Sequence, residues 1–281
     1  MHQLKPRTTQ ADAHAGIGVE YAAADLKGAR RRAATTLRYT VFKSLRENHG
    51  HELPARVLRD LSTALRVDPE PARIEPDKHQ LGRLMTHYKA SYLFIGHGSK
   101  SRYKDPAAVM RTLEPTIRAL NKKHGKGNWV AVFGGDNYDP KNPDVAHVRH
   151  YLRTRHSVPT FAVQSDIVAK KWGGVDSGFD YAMYVPTDMK PASGSGKPQI
   201  LWGGVAKGRP LGATKGYLGP EFIGSGKMKG VIAVGGGPIA LAEAQYAKKQ
   251  GLPVTYIRAE ARNTEANGRW GSLDSWARGL R

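Results

Sequence analysis

The sequence predicts an α/β protein: a parallel sheet with helices on both faces, preceded by a helical, basic N-terminal extension. Three observations carry the prediction. Between residues 81 and 281, short apolar runs alternate with helical stretches, the pattern of a parallel sheet covered by its crossover helices. Three of those runs end in glycine turns, at Gly96-His97-Gly98, Gly134-Gly135 and Gly235-Gly236-Gly237. Residues 1–80 instead carry helical periodicity and a proline-rich stretch. Such a sheet is Rossmann-like, and its ligands sit beyond the carboxyl ends of the strands.

The elements follow in order. Residues 1–20 read as a loose arm. A helix is expected over residues 22–47, with Ala29, Ala33, Leu37, Val41 and Leu45 forming one apolar stripe and Arg30, Arg31 and Arg32 mostly elsewhere. Asn48-His49-Gly50 stops it. A second helix fits residues 54–65, and Pro69, Pro71 and Pro76 mark a linker. The Rossmann-like domain then spans residues 81–281. Its strands are expected at 91–95, 129–133, 160–163, 231–234 and 254–257, and its helices at 107–124, 143–155 and 239–250. Residues 164–230 are rich in glycine and read as long loops.

Composition narrows the function. There are no cysteines, so disulfides, thiolate metal sites and cysteine nucleophiles are excluded. No apolar stretch reaches the roughly 20 residues of a membrane span, and the N-terminus lacks a secretory apolar core. A cytoplasmic protein without membrane contact is expected. Lys and Arg total 44 against 24 Asp and Glu, a formal charge of +20 that favours polyanionic partners. Residues 1–80 carry +4 of it and the remaining residues +16, so the surplus lies on the sheet domain rather than on a tail. Nucleic acid is an expected partner through the basic loops and the N-terminal helix.

The turn Gly235-Gly236-Gly237 follows a strand and opens a helix. There, backbone N–H groups and the helix dipole favour a phosphate. No Gly-Lys-Ser/Thr follows, and the third glycine of the dinucleotide fingerprint is missing. Gly96, His97, Gly98, Ser99 and Arg102 after the first strand, and Gly134 and Gly135 after the second, are further candidates for nucleotide or phosphate contact. Lys207, Arg209, Lys215, Lys227 and Lys229 form a second basic region that suits phosphate. His147, His150 and His156 lack the HExxH pattern, so the reading includes no metal and no cofactor.

The stretch VIAVGGGPIALAEAQYAKKQGLPVTYI, residues 231–257, resembles the signature of nucleoside deoxyribosyltransferase-like and LOG/SLOG proteins. Glu243, Tyr246, Ala247, Gly251, Pro253 and Val254 fall at the matching places. WVAVFGGDNYDP and FIGHGSKSR are similar to earlier strands and turns of the LOG group. The chain departs where Pro238-Ile239 stands in place of Gly-Thr. The resemblance implies a protein that handles nucleosides or nucleotides and cleaves or transfers at the N-glycosidic bond. It further implies Glu243 as the carboxylate at the anomeric carbon, where it would stabilise an oxocarbenium-like transition state. Asp136, with Asp139 nearby, is the candidate acid for the leaving base. Two other readings stay open: a non-catalytic nucleotide or nucleic-acid binder, and a scaffold in a nucleoprotein assembly. A homo-oligomer is compatible with all three.

Overall fold

A computed structural model describes residues 10–68, 70–75, 78–98, 101–135, 137–172, 174–175, 177–185, 189–191, 198–200, 205–206, 209–210, 226–263 and 270–271. The first elements are α1 (Gln10–His49), a short 3-10 turn (Gly50–Glu52), α2 (Ala55–Leu65), β1 (Ala72–Ile74) and α3 (Lys78–Thr86). The body continues with β2 (Ala90–Gly96), β3 (Ser101–Tyr103), α4 (Pro106–His124), β4 (Trp129–Phe133), α5 (Val145–His156), β5 (Thr160–Ser165), α6 (Asp166–Trp172) and β6 (Tyr181–Val185). Four short strands follow: β7 (Met189–Pro191), β8 (Pro198–Ile200), β9 (Val205–Ala206) and β10 (Arg209–Pro210). The chain closes with β11 (Met228–Val234), α7 (Pro238–Lys249), β12 (Val254–Ile257), β13 (Ala261–Asn263) and β14 (Trp270–Gly271).

Seven strands form one parallel sheet in the order β1-β6-β5-β4-β2-β11-β12. Each central strand reads as a continuous apolar run because both its faces are covered. Alternate residues go to opposite layers. Leu93, Ile95, Val231 and Ala233 join α2, α3 and α7 in one core. Tyr92, Phe94, Ile232 and Val234 join α4 and α5 in the other. Asp105 caps α4 by accepting from the Ala108 N–H, and Asp144 caps α5 by accepting from the Ala146 N–H at 2.8 Å. The smaller sheets are β7-β8, β9-β10 and the antiparallel β14-β13-β3, which closes over the carboxyl edge of the main sheet.

The N-terminal region departs from its pattern in three ways. Helix α1 begins at Gln10, so most of the expected loose arm is helical. Ala11, Ala13 and Ala15 favour helix, and propagation from an existing helix is far easier than nucleation. The expected apolar stripe is not the buried face. Leu37 and Val41 are 65% and 50% exposed, whereas Phe42 and Arg46 are buried. A repeat of four advances about 40° per step on a helix of 3.6 residues per turn, so the stripe winds away from the body. Finally, the proline-rich linker carries β1, which pairs with β6 at the sheet's edge.

Helix α2 is strapped to the amino edge of β5 and β6. Arg59 donates to both Asp180 oxygens at 2.6 Å, and Asp180 also accepts from the Thr160 N–H at 2.8 Å. Beside them the Tyr88 hydroxyl accepts from the Ala55 N–H, the Tyr88 and Tyr181 hydroxyls share a 2.7 Å bond, and Tyr181 donates to the Leu53 carbonyl. Burial pushes the Tyr88 phenol up to about 12, so the pair stays neutral.

Candidate functional site

From β2 the chain builds outward through β4, β5 and β6 on one side, then returns to place β11 and β12 on the other. The switch point therefore lies between β2 and β11, and a crevice is expected at their carboxyl ends. Two of the three predicted glycine turns meet there.

At the end of β2, a Cβ on Gly96 would come within 2.7 Å of the Val234 carbonyl oxygen, so only glycine fits beside β11. His97 is buried, with its ring edge-on to Tyr103 at 5.9 Å. Tyr103 donates to the Val234 carbonyl, and the His97 carbonyl accepts from the Val145 N–H. The His97 Nε2 accepts from the Gly236 N–H at 3.0 Å, which requires that nitrogen to be unprotonated. The two turns thus lock to each other through a histidine.

At the end of β11, Gly235 has φ +60, and a Cβ there would meet both the Ala259 carbonyl oxygen and His97 Nε2 at 2.8 Å. Its N–H donates to the Ile257 carbonyl at 2.9 Å. Gly237 is the N-cap of α7 and Pro238 follows it. The turn therefore offers an anion less than the sequence suggested. The Gly235 and Gly236 N–H groups bond internally, and Pro238 has none to give. The N–H groups of Gly237, Ile239 and Ala240 have no partner within the helix.

The third turn, Gly134-Gly135, lies beyond the neighbouring strand β4. There Gln164 accepts from the Ser165 N–H at 2.8 Å and packs over Gly135. Tyr138 stacks on His150 at 4.3 Å and tilts against His147 at 4.5 Å. His147 completes the α5 capping box, so its ring orders a helix start. Asp139 accepts from the Lys141 N–H and the Asn142 amide. Those bonds hold its carboxyl below the usual range, and the side chain acts as a turn former. Asp136 and Ser99 lie outside the described residues.

Arg102 sits on β3, opposite Arg262 of β13, and is half-buried with a sequestered Nε that has no hydrogen-bond partner. Glu243 is 6% exposed in the second turn of α7, on the face whose Ala240, Ala244 and Ala247 enter the core. Among the described residues no group of three His, Asp or Glu side chains is arranged to hold a metal, and no helix is long and apolar enough to cross a membrane.

Two members of the second basic region stand away from this site. Lys227 and Lys229 stand at the start of β11, about 20 Å along the strand from its glycine turn. Arg209 lies on β10, and Lys207 and Lys215 lie outside the described residues. Sequence reasoning missed Tyr103, Gln164 and Tyr138. Their roles come from contacts made across the fold, which leave no local pattern.

Comparison of the chain with protein-family models, curated proteins and solved structures finds no match. The resemblance at residues 231–257 therefore rests on those residues alone.

Proposed function

We propose that this protein binds a nucleotide or nucleoside phosphate in the crevice between β2 and β11, and that Glu243 acts there on the N-glycosidic bond. The observation that carries the reading is the meeting of the Gly96-His97-Gly98 and Gly235-Gly236-Gly237 turns at the switch point. Two features support an anionic ligand. The first turn of α7 presents N–H groups that have no partner within the helix, together with the positive end of the helix dipole, worth about 0.3–1 kcal/mol for an anion. On β3, the strand that follows the first of these turns, the sequestered Arg102 Nε lacks a hydrogen-bond partner. Glu243 supports cleavage, because it is a buried carboxylate on the helix that starts at this turn. As the bond to the base breaks, positive charge develops at the anomeric carbon, and a carboxylate in a poorly hydrated site stabilises it strongly. Water then adds at that carbon, and the departing base takes up a proton.

A second reading, binding without cleavage, is favoured by Pro238 and by the internal use of the Gly236 N–H. One experiment separates them. Purified protein and Glu243→Gln are incubated with nucleoside mono- and diphosphates, with base release followed by chromatography and binding by calorimetry. Release by the wild type that is lost in Glu243→Gln, with binding retained, supports cleavage. Binding without release leaves the second reading. Absence of binding across the panel refutes both.

A further inference from the structure

We infer that the amino edge of the sheet, opposite the glycine turns, is a docking surface for the sugar-phosphate backbone of a nucleic-acid duplex. Four elements bring lysines there. Lys122 and Lys123 end α4, Lys126 lies in the turn before β4, Lys89 precedes β2 and Lys229 lies near the start of β11. All five are exposed, and among the described residues none has a carboxylate within 4.0 Å. Residues 87–104, 115–135 and 226–242, which feed this edge, contain no Asp or Glu. Lys248 and Lys249 at the end of α7 extend the same edge.

Helix dipoles account for lysines at the ends of α4 and α7. They do not account for Lys89, Lys126 and Lys229, which stand on strand starts and a turn. The field is felt locally. His124, buried at the end of α4, has its pKa lowered first by desolvation and then by Lys123, Lys89 and Lys229 together. Like charges converging without carboxylates repel one another, and a polyanion relieves that repulsion.

The surface also indicates which polyanion. Binding of single strands relies on aromatic rings that stack with bases. Tyr88, Tyr92 and Trp129, at the amino ends of β2 and β4, are 2%, 8% and 0% exposed, and the exposed large apolar side chains of the described residues all lie on α1 and α2. Flexible cations without stacking rings suit backbone contact independent of sequence.

The test measures fluorescence anisotropy of labelled DNA and RNA duplexes and of matched single strands, across a salt series. It compares the full-length wild type, a Lys122→Ala, Lys123→Ala, Lys126→Ala, Lys229→Ala variant, and an Arg31→Ala, Arg32→Ala, Arg38→Ala variant of α1. Thermal unfolding verifies that both variants are folded. Duplex binding is expected, without sequence preference and at least as tight as single-strand binding. The lysine variant is expected to weaken it about tenfold or more and to flatten the log–log salt slope by about 0.9 per lysine removed. Either duplex backbone satisfies the proposal, and the two arms show which is used. An unchanged slope in the lysine variant, a loss found only in the α1 variant, or binding confined to single strands or to phosphatidylserine vesicles overturns it.

Discussion

Replacing Asp180 by Ala tests whether the N-terminal region and the sheet are one cooperative unit. The Asp180 side chain is 1% exposed. It accepts from Arg59 twice and from the Thr160 N–H and hydroxyl, and it lies 3.8 Å from Arg153. Removing one partner of a buried ion pair costs about 3–5 kcal/mol. Arg59 keeps a quarter of its side chain exposed and can recover some hydration, which pulls the figure toward the lower end. The buried Thr160 N–H loses its acceptor, a contribution of about 1–3 kcal/mol within that total. We expect a loss of about 3–4 kcal/mol, roughly 6 °C in Tm for a chain of this size. Asp180→Asn keeps an acceptor for Thr160 and costs less. The Asp180→Ala, Arg59→Met double variant costs less than the sum of its parts, since no orphaned charge remains. Urea and thermal unfolding read all of these. A loss below about 1 kcal/mol, or a separate early transition with the sheet's own transition unmoved, would refute the coupling.

Two further predictions concern a turn and a surface cluster. Gly235→Ala forces a Cβ against His97 and the Ala259 carbonyl in a left-handed conformation. It should cost about 1–3 kcal/mol in thermal unfolding and lower nucleotide affinity by displacing His97, and unchanged stability would show the turn to be adaptable. Glu114 accepts from Tyr151, Arg118 and His156, bonds that hold its pKa at about 2 against 4.5 ordinarily. Because the folded value is the lower one, the stabilisation is full above about pH 4.5 and is lost as pH falls toward 2. Unfolding followed over that window should show the wild type losing a contribution that Glu114→Gln lacks throughout, and parallel profiles would contradict the assignment.

Much of the sheet was legible because its strands are buried on both faces. The runs at β2, β4, β11 and β12 are apolar and end at glycine or polar turns, and α4 and α5 announce themselves by Asp105-Pro106 and Asp144. Strand β1 was not legible. Ala72-Arg73-Ile74 is too short to carry a periodicity, and its strand character comes from β6 alone. Strand β6 was hidden in a glycine-rich stretch read as loop. At the candidate site the glycines could be placed from sequence, but their hydrogen bonds could not. That His97 takes the Gly236 N–H depends on a pairing between strands separated by well over a hundred residues. The edge on which Lys227 and Lys229 stand was hidden for a similar reason. A glycine turn and a lysine a few positions apart look adjacent in sequence, yet an extended strand carries them to opposite edges.

The pairing of β1 with β6 also dictates an order of assembly. Ala72 aligns with Tyr181, more than a hundred residues later, and Arg59 waits for Asp180 in the same stretch. During synthesis the N-terminal segment emerges first but has no sheet edge to join until β6 is made. The central pair has a longer wait, since β2 cannot meet β11 until well over a hundred further residues are made. A nascent chain must therefore hold one open edge of β2 and an unpaired β1 exposed together while the intervening residues are added. Such long-range parallel pairing folds slowly and favours association with other chains. The strong positive charge of the chain, which repels like copies, offers protection over that interval.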